Sequence, residues 1–163
     1  MDSISGKRTE TIAFEFSELS TDRPTLVEPW EVYLGIVGTF KVVSADKIIF
    51  SEQMFTVLEL AVEMRLWQEY DKRLNVDFIY KSMETDEIGL VWVKRQADDG
   101  WVVGSTQNPV RSGVLTDVEL DRAILSFYSG LRRAVRREFD INIDETLAWR
   151  REDSRGGPRS LLD

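Results

Sequence analysis

Apolar and polar residues alternate over Thr11 to Leu19, where Ile12, Phe14 and Phe16 interleave with Ala13, Glu15 and Ser17, the period of a half-buried strand. The Ser20 to Pro24 cluster and Pro29 break that period. Trp30 to Val43 reads as a long strand bent or bulged at Gly35 and Gly38. A tight turn at Ser44 to Lys47 leads into a short strand, Ile48 to Glu52, and a hairpin is the simplest pairing. From Met54 to Tyr70 the period becomes helical: Val57, Leu60, Ala61, Met64 and Trp67 share one face, while Glu59 and Glu63 point away. Three strands follow, Val76 to Met83, Ile88 to Gln96 and Trp101 to Gln107, the last two joined across Asp98-Asp99-Gly100. Thr116 and Glu119 have the spacing of a capping box, and a helix runs from there to about Phe139. Leu120, Ile124, Phe127, Leu131 and Val135 form its core face, with Arg122, Arg133, Arg136 and Arg137 opposite.

This pattern predicts an α+β fold, a strongly twisted antiparallel sheet of about six strands with two main helices packed on it, in the order βββαβββα. The expected boundaries are one domain over residues 1–143 and a polar Arg/Gly-rich flexible tail over 144–163, which includes Arg155-Gly156-Gly157-Pro158-Arg159. The 163 residues, 42% hydrophobic with five Trp and eight Phe, suffice for one real core.

Composition narrows the chemistry. The chain has neither histidine nor cysteine, the side chains that most often supply general-base, nucleophilic or transition-metal chemistry near neutral pH. Phosphate-loop and nucleophile-elbow motifs are also missing, so a non-enzymatic protein without cofactor or metal is expected. Without cysteine, a signal-peptide pattern or a long apolar run, the chain reads as cytoplasmic and as having no membrane partner. Its formal charge of -8 is uneven: residues 1–100 hold 11 basic and 19 acidic side chains, and the remainder ten of each. An acidic surface repels nucleic-acid phosphates and speeds encounters with a basic protein.

Two surfaces are candidates for function. The acidic turns Glu84 to Glu87 and Asp98-Asp99 lie at opposite ends of one strand, with Trp92 and Trp101 nearby. Aromatic anchors rimmed by carboxylates suit an Arg/Lys-rich protein partner, which assigns Glu84, Asp86, Glu87, Asp98, Asp99 and Trp101 to partner binding. Packing in the core is the competing role for both tryptophans. Arg122, Arg133, Arg136 and Arg137 are an alternative anion-binding face, for nucleic acid or an acidic partner, although cations near a helix C-terminus also simply favour its dipole. Glu59 and Glu63, one turn apart, could clasp a hard cation, but no second carboxylate helix is evident and most such pairs are merely exposed.

The stretch Asp77-Phe78-Ile79-Tyr80-Lys81-Ser82-Met83-Glu84, followed by Glu87, Gly89, Trp92 and Asp99-Gly100-Trp101-Val102-Val103-Gly104-Ser105, resembles small cytoplasmic domains of unknown function found in actinobacteria. The Leu60-Ala61 helix ending near Trp67 adds to the likeness, which spans roughly residues 30 to 140. Such domains are similar to immunity proteins of polymorphic-toxin systems in size, acidity and α+β layout, and they have no catalytic residues to carry over. The resemblance implies a protein-binding inhibitor that neutralises a basic toxin by occlusion.

Overall fold

The computed structural model describes residues 11–96 and 100–156. Among them, β1 (Ile12–Thr21), β2 (Ile36–Ser44) and β3 (Lys47–Phe55) form one antiparallel sheet in that order. β4 (Phe78–Lys81), β5 (Ile88–Gln96) and β6 (Gly100–Gly104) form a second. Four α-helices accompany them: α1 (Pro29–Gly35), α2 (Val57–Glu69), α3 (Asp117–Phe139) and α4 (Ile143–Gly156). The fold is thus α+β, with six strands divided between two sheets where one sheet was expected.

The division has a local cause. The segment after β6 lies against β3 without becoming a strand: the Asn108 side-chain amide donates to the Ile49 carbonyl at 3.0 Å, and the Lys47 ammonium to the Arg111 carbonyl at 3.1 Å. Contacts of this kind cover a strand edge without a continuous ladder. Below them the sheets share one core. Phe40 lies 5.1 Å from Phe55 and 5.4 Å from Phe127, and Phe55 reaches Tyr80 of the second sheet at 5.5 Å, measured between ring centroids.

Helix α2 is the hub. None of its residues is exposed, and it packs against β2, β4, α1, α3 and α4. A helix surrounded on every side needs apolar residues around most of its circumference, and Leu58 and Val62 add to the stripe that periodicity predicts, while Phe55 of that expected stripe belongs to β3. The expectation of an amphipathic helix covering one sheet, with Glu59 and Glu63 turned away from the core, is corrected accordingly: Glu59 is fully buried and Glu63 half-buried.

Two further elements differ from the sequence pattern. The expected strand from Trp30 to Val43 is helix α1 followed by β2, because Pro29 occupies the first turn and Glu28 and Glu31 form a reciprocal capping box. The chain turns from helix to strand at Gly35 and Ile36, where a bend was expected. The expected polar tail begins instead as α4, which buries Ile143, Thr146 and Leu147 against the rest of the fold. Its few apolar residues recur at helical spacing, and ion pairs secure its polar ones. Residues 157–163 lie outside the described part of the chain.

Phe40 is fully buried where rings of β1 and β3, the strands on either side of it, meet Phe127 of α3. Phe40→Ala should cost about 3–5 kcal/mol of folding stability with an unchanged denaturant slope. Urea unfolding followed by tryptophan fluorescence measures this, and a loss below about 1 kcal/mol would contradict the packing of the first sheet against α3 around Phe40.

Candidate functional site

Tyr80 and Ser82 lie at the end of β4, where alternate residues turn inward: Phe78, Tyr80 and Ser82 are buried, Ile79 and Lys81 exposed. The inward pair faces Glu59 on α2. The Tyr80 hydroxyl donates to the Glu59 carboxylate at 2.8 Å, the Ser82 hydroxyl at 2.6 Å and the Met83 amide at 2.8 Å. Thr56 and Tyr80 share a further hydrogen bond of 2.6 Å. A buried carboxylate is tolerated when such donors replace its hydration, and here all three donors are neutral. Burial, and then the Glu59 charge, hold the Tyr80 phenol well above its ordinary value, so it stays a donor.

A cleft of about 170 Å³ opens over this network, between the end of β3 and the turn joining β4 to β5. Glu52, Met54, Thr56, Tyr80, Glu84 and Thr85 are among its lining residues. Burial, and then the Glu87 carboxylate, raise the Glu52 carboxyl above its ordinary range. Glu84 accepts from the Arg23 guanidinium at 2.7 Å, and Arg23 also lies over the Trp30 ring at 5.3 Å. Two carboxylates from separate elements therefore line one opening, Glu52 on β3 and Glu84 on the β4–β5 turn, and Glu87 of the same turn lies close enough to Glu52 to act on it through its charge.

The structure brings some of the sequence-predicted residues here and not others. Glu84 lines the cleft, Glu87 acts on Glu52 while accepting from Gln107 at 2.8 Å, and Asp86 is exposed on the same turn. Asp98 and Asp99 lie outside the described residues. Trp101 is corrected: it is fully buried, edge-on to Trp67 at 5.1 Å, and its indole N–H donates to Asp117 at 2.7 Å, so it is a core residue. Trp92 is core as well, and its ring lies so close to Gly104 that a Cβ there would sit 2.2 Å from it. Period-two spacing could not reveal Glu52, because its carboxylate joins the turn only through the packing of the two sheets.

Arg122, Arg133, Arg136 and Arg137 are all exposed on α3. Arg136 pairs with Asp140 at 3.6 Å and Arg137 with Glu138 at 3.9 Å, both in solvent. Such pairs are weakly held. Glu59 and Glu63 do not converge as a cation site: Glu63 faces Tyr33 and Arg150, at 2.6 and 2.9 Å. No cluster of potential metal ligands occurs among the described residues. None of the described helices is long and apolar enough to cross a membrane.

Residues 12–137 match the family model described as Domain of unknown function (DUF7878), and the chain belongs to that family. No curated protein and no solved structure matches the chain.

Removing one donor from the buried carboxylate should be costly, because hydrogen bonds to charged groups contribute about 1.5–3 kcal/mol. Tyr80→Phe is expected to lose that much in urea unfolding, and an unchanged midpoint would remove the phenol from the network. The alkaline limb gives a second check. Burial is the main cause that raises the phenols of Tyr33, Tyr80 and Tyr128, followed by nearby carboxylates or a hydrogen bond to one. Below pH about 10 folded and unfolded chains both keep these protons and the full stability is present. Above it the unfolded chain releases protons that the folded chain retains, so stability falls as pH rises. Phenolate absorbance at 295 nm should then appear together with loss of far-ultraviolet dichroism. Ionisation of more than one of the four tyrosines in folded protein would contradict this.

Proposed function

We propose that this family member is a non-enzymatic protein-binding inhibitor that neutralises a basic partner by occlusion, with the Glu52, Glu84 and Glu87 cleft as its contact surface. The observation that carries the reading is the chemistry already at the rim. Glu84 holds one guanidinium, that of Arg23, whereas Glu52 and Glu87 have no basic partner among the described residues. A Glu52 carboxylate destabilised by burial and then by the Glu87 charge gains from an arriving cation, and an arginine fork can engage two oxygens at once. Apolar side chains flank the charge: Met54 lines the cleft, and Met83 and Ile88 border the acidic turn in sequence, all exposed. Flexible methionines beside carboxylates suit a protein surface better than a small-molecule pocket.

In this mechanism the acidic turn steers association and then occupies the basic site that the partner uses for its own phosphate-bearing substrate. Methionine and isoleucine contacts slow dissociation. A bacterial toxin with a basic active site is the kind of partner the resemblance to immunity proteins suggests, and the cytoplasm is where such an inhibitor would act. The lack of histidine and cysteine supports a role that needs no reaction chemistry.

The test compares immobilised wild-type protein with the variant Glu84→Lys, Asp86→Lys, Glu87→Lys, each exposed to lysate of the native host. A basic protein should be retained at low salt, weaken as salt rises, and bind the variant at least about tenfold less tightly. Equal retention by both proteins would overturn the assignment of this surface. Nucleic acid as the retained species would overturn the reading itself and favour the Arg122, Arg133, Arg136 and Arg137 face.

A further inference from the structure

The family match ends at residue 137, and α4 begins six residues later at Ile143. Ile143, Thr146, Leu147, Arg150 and Arg151 follow the i, i+3, i+4, i+7, i+8 spacing of a helix seated in a groove. The groove is built by α1, α2 and α3. Arg150 Nε lies 2.9 Å from Glu63, and the Arg151 guanidinium grips Glu69 through two bonds of 2.9 and 2.7 Å. Trp149 meets Tyr33 at 5.5 Å, and the Tyr128 hydroxyl donates to Asp144 at 2.8 Å. All these contacts are between side chains, and every groove residue among them precedes residue 137. They can be made equally well by a helix arriving from another molecule.

The connection between α3 and α4 consists of residues 140–142. Asp140 turns the chain back with left-handed backbone, φ 56°, which is unfavourable for a residue with a Cβ. Were Asp140, Ile141 and Asn142 to take right-handed helical backbone instead, α3 and α4 would become one helix from 117 to 156, about 60 Å long, and α4 would leave its own groove. Short strained hinges of this kind favour exchange of the element they carry.

We propose that the groove formed by Tyr33, Glu63, Glu69 and Tyr128 is an intermolecular docking surface, and that its partner is the α4 helix of a second copy of this chain, exchanged reciprocally through the hinge at Asp140. Each copy then completes the other with Ile143, Leu147, Arg150 and Arg151. Two hinges lose their left-handed residue in the exchanged dimer, and the helix contacts are conserved in number.

Two full-length hinge variants test this in opposite directions. Alanine disfavours the left-handed turn and favours helix, whereas glycine does the reverse. After refolding from urea at high protein concentration, size-exclusion chromatography with light scattering should show more dimer for Asp140→Ala than for wild type, and less for Asp140→Gly. The two variants' dimerisation constants should differ by at least about a hundredfold. Equal dimer fractions, or the reverse order, would overturn the proposal. A charge exchange identifies the element that moves. Glu69→Arg and Arg151→Glu each place like charges together within one chain, but a reciprocal exchange between the two variants pairs opposite charges at both grooves. Their mixture, co-refolded, should yield a one-to-one heterodimer, and persistence of two separate monomers would overturn the proposal.

Discussion

The placement of the candidate site depends on one buried carboxylate. Glu59 lies on a helix with no exposed residue, and leaving water costs a carboxylate several kcal/mol unless donors replace its hydration. All three of its donors come from one short stretch, Tyr80, Ser82 and the Met83 amide. That requirement ties the end of β4 to the first turn of α2. The acidic turn starts at the very next residue, Glu84, so its position above the cleft follows from satisfying Glu59 rather than from any property of the turn.

The same helix organises the other side of the molecule through its less buried carboxylates. Glu63 and Glu69 hold Arg150 and Arg151, and with Tyr33 they turn a face of α2 and α1 into a seat for α4. One helix thus spends its three carboxylates on internal contacts: Glu59 toward the second sheet, Glu63 and Glu69 toward α4. Its apolar residues meanwhile fill the shared aromatic core. Their location on α2 joins elements from both halves of the chain in one buried cluster.

How far this could be read from the residues follows from the range of each interaction. β1, β5 and α3 were legible because their signals are local: alternation over a few residues, or the Thr116 and Glu119 capping box. The Glu28 and Glu31 capping box that begins α1 is equally local, but Glu is an unusual cap, and the apolar run after it reads as well for a strand. α4 escaped notice because its core residues are few and its stability comes from ion pairs with residues some 80 positions earlier. The candidate site was half legible. The turn carboxylates stand together in sequence, whereas Glu52 and the Glu59 network belong to it only through the approach of two sheets.

Charge composition alone could not distinguish a solvated surface from a binding one, and the structure sorts the charges by what they touch. Arg23, Arg150, Arg151 and Lys72 each face a carboxylate of their own chain, at 2.7 to 2.9 Å. These basic residues are therefore committed to holding the fold, and they offset acidic residues that would otherwise contribute to the long-range field. Glu52 and Glu87 are not offset in this way, and the energetic sign of their proximity is unfavourable until a cation arrives. A site of that kind stores a preference for positive charge in the folded protein itself. It can discriminate between partners by charge before any detailed fit is made, which is what the proposed role of an occluding inhibitor of a basic protein would require.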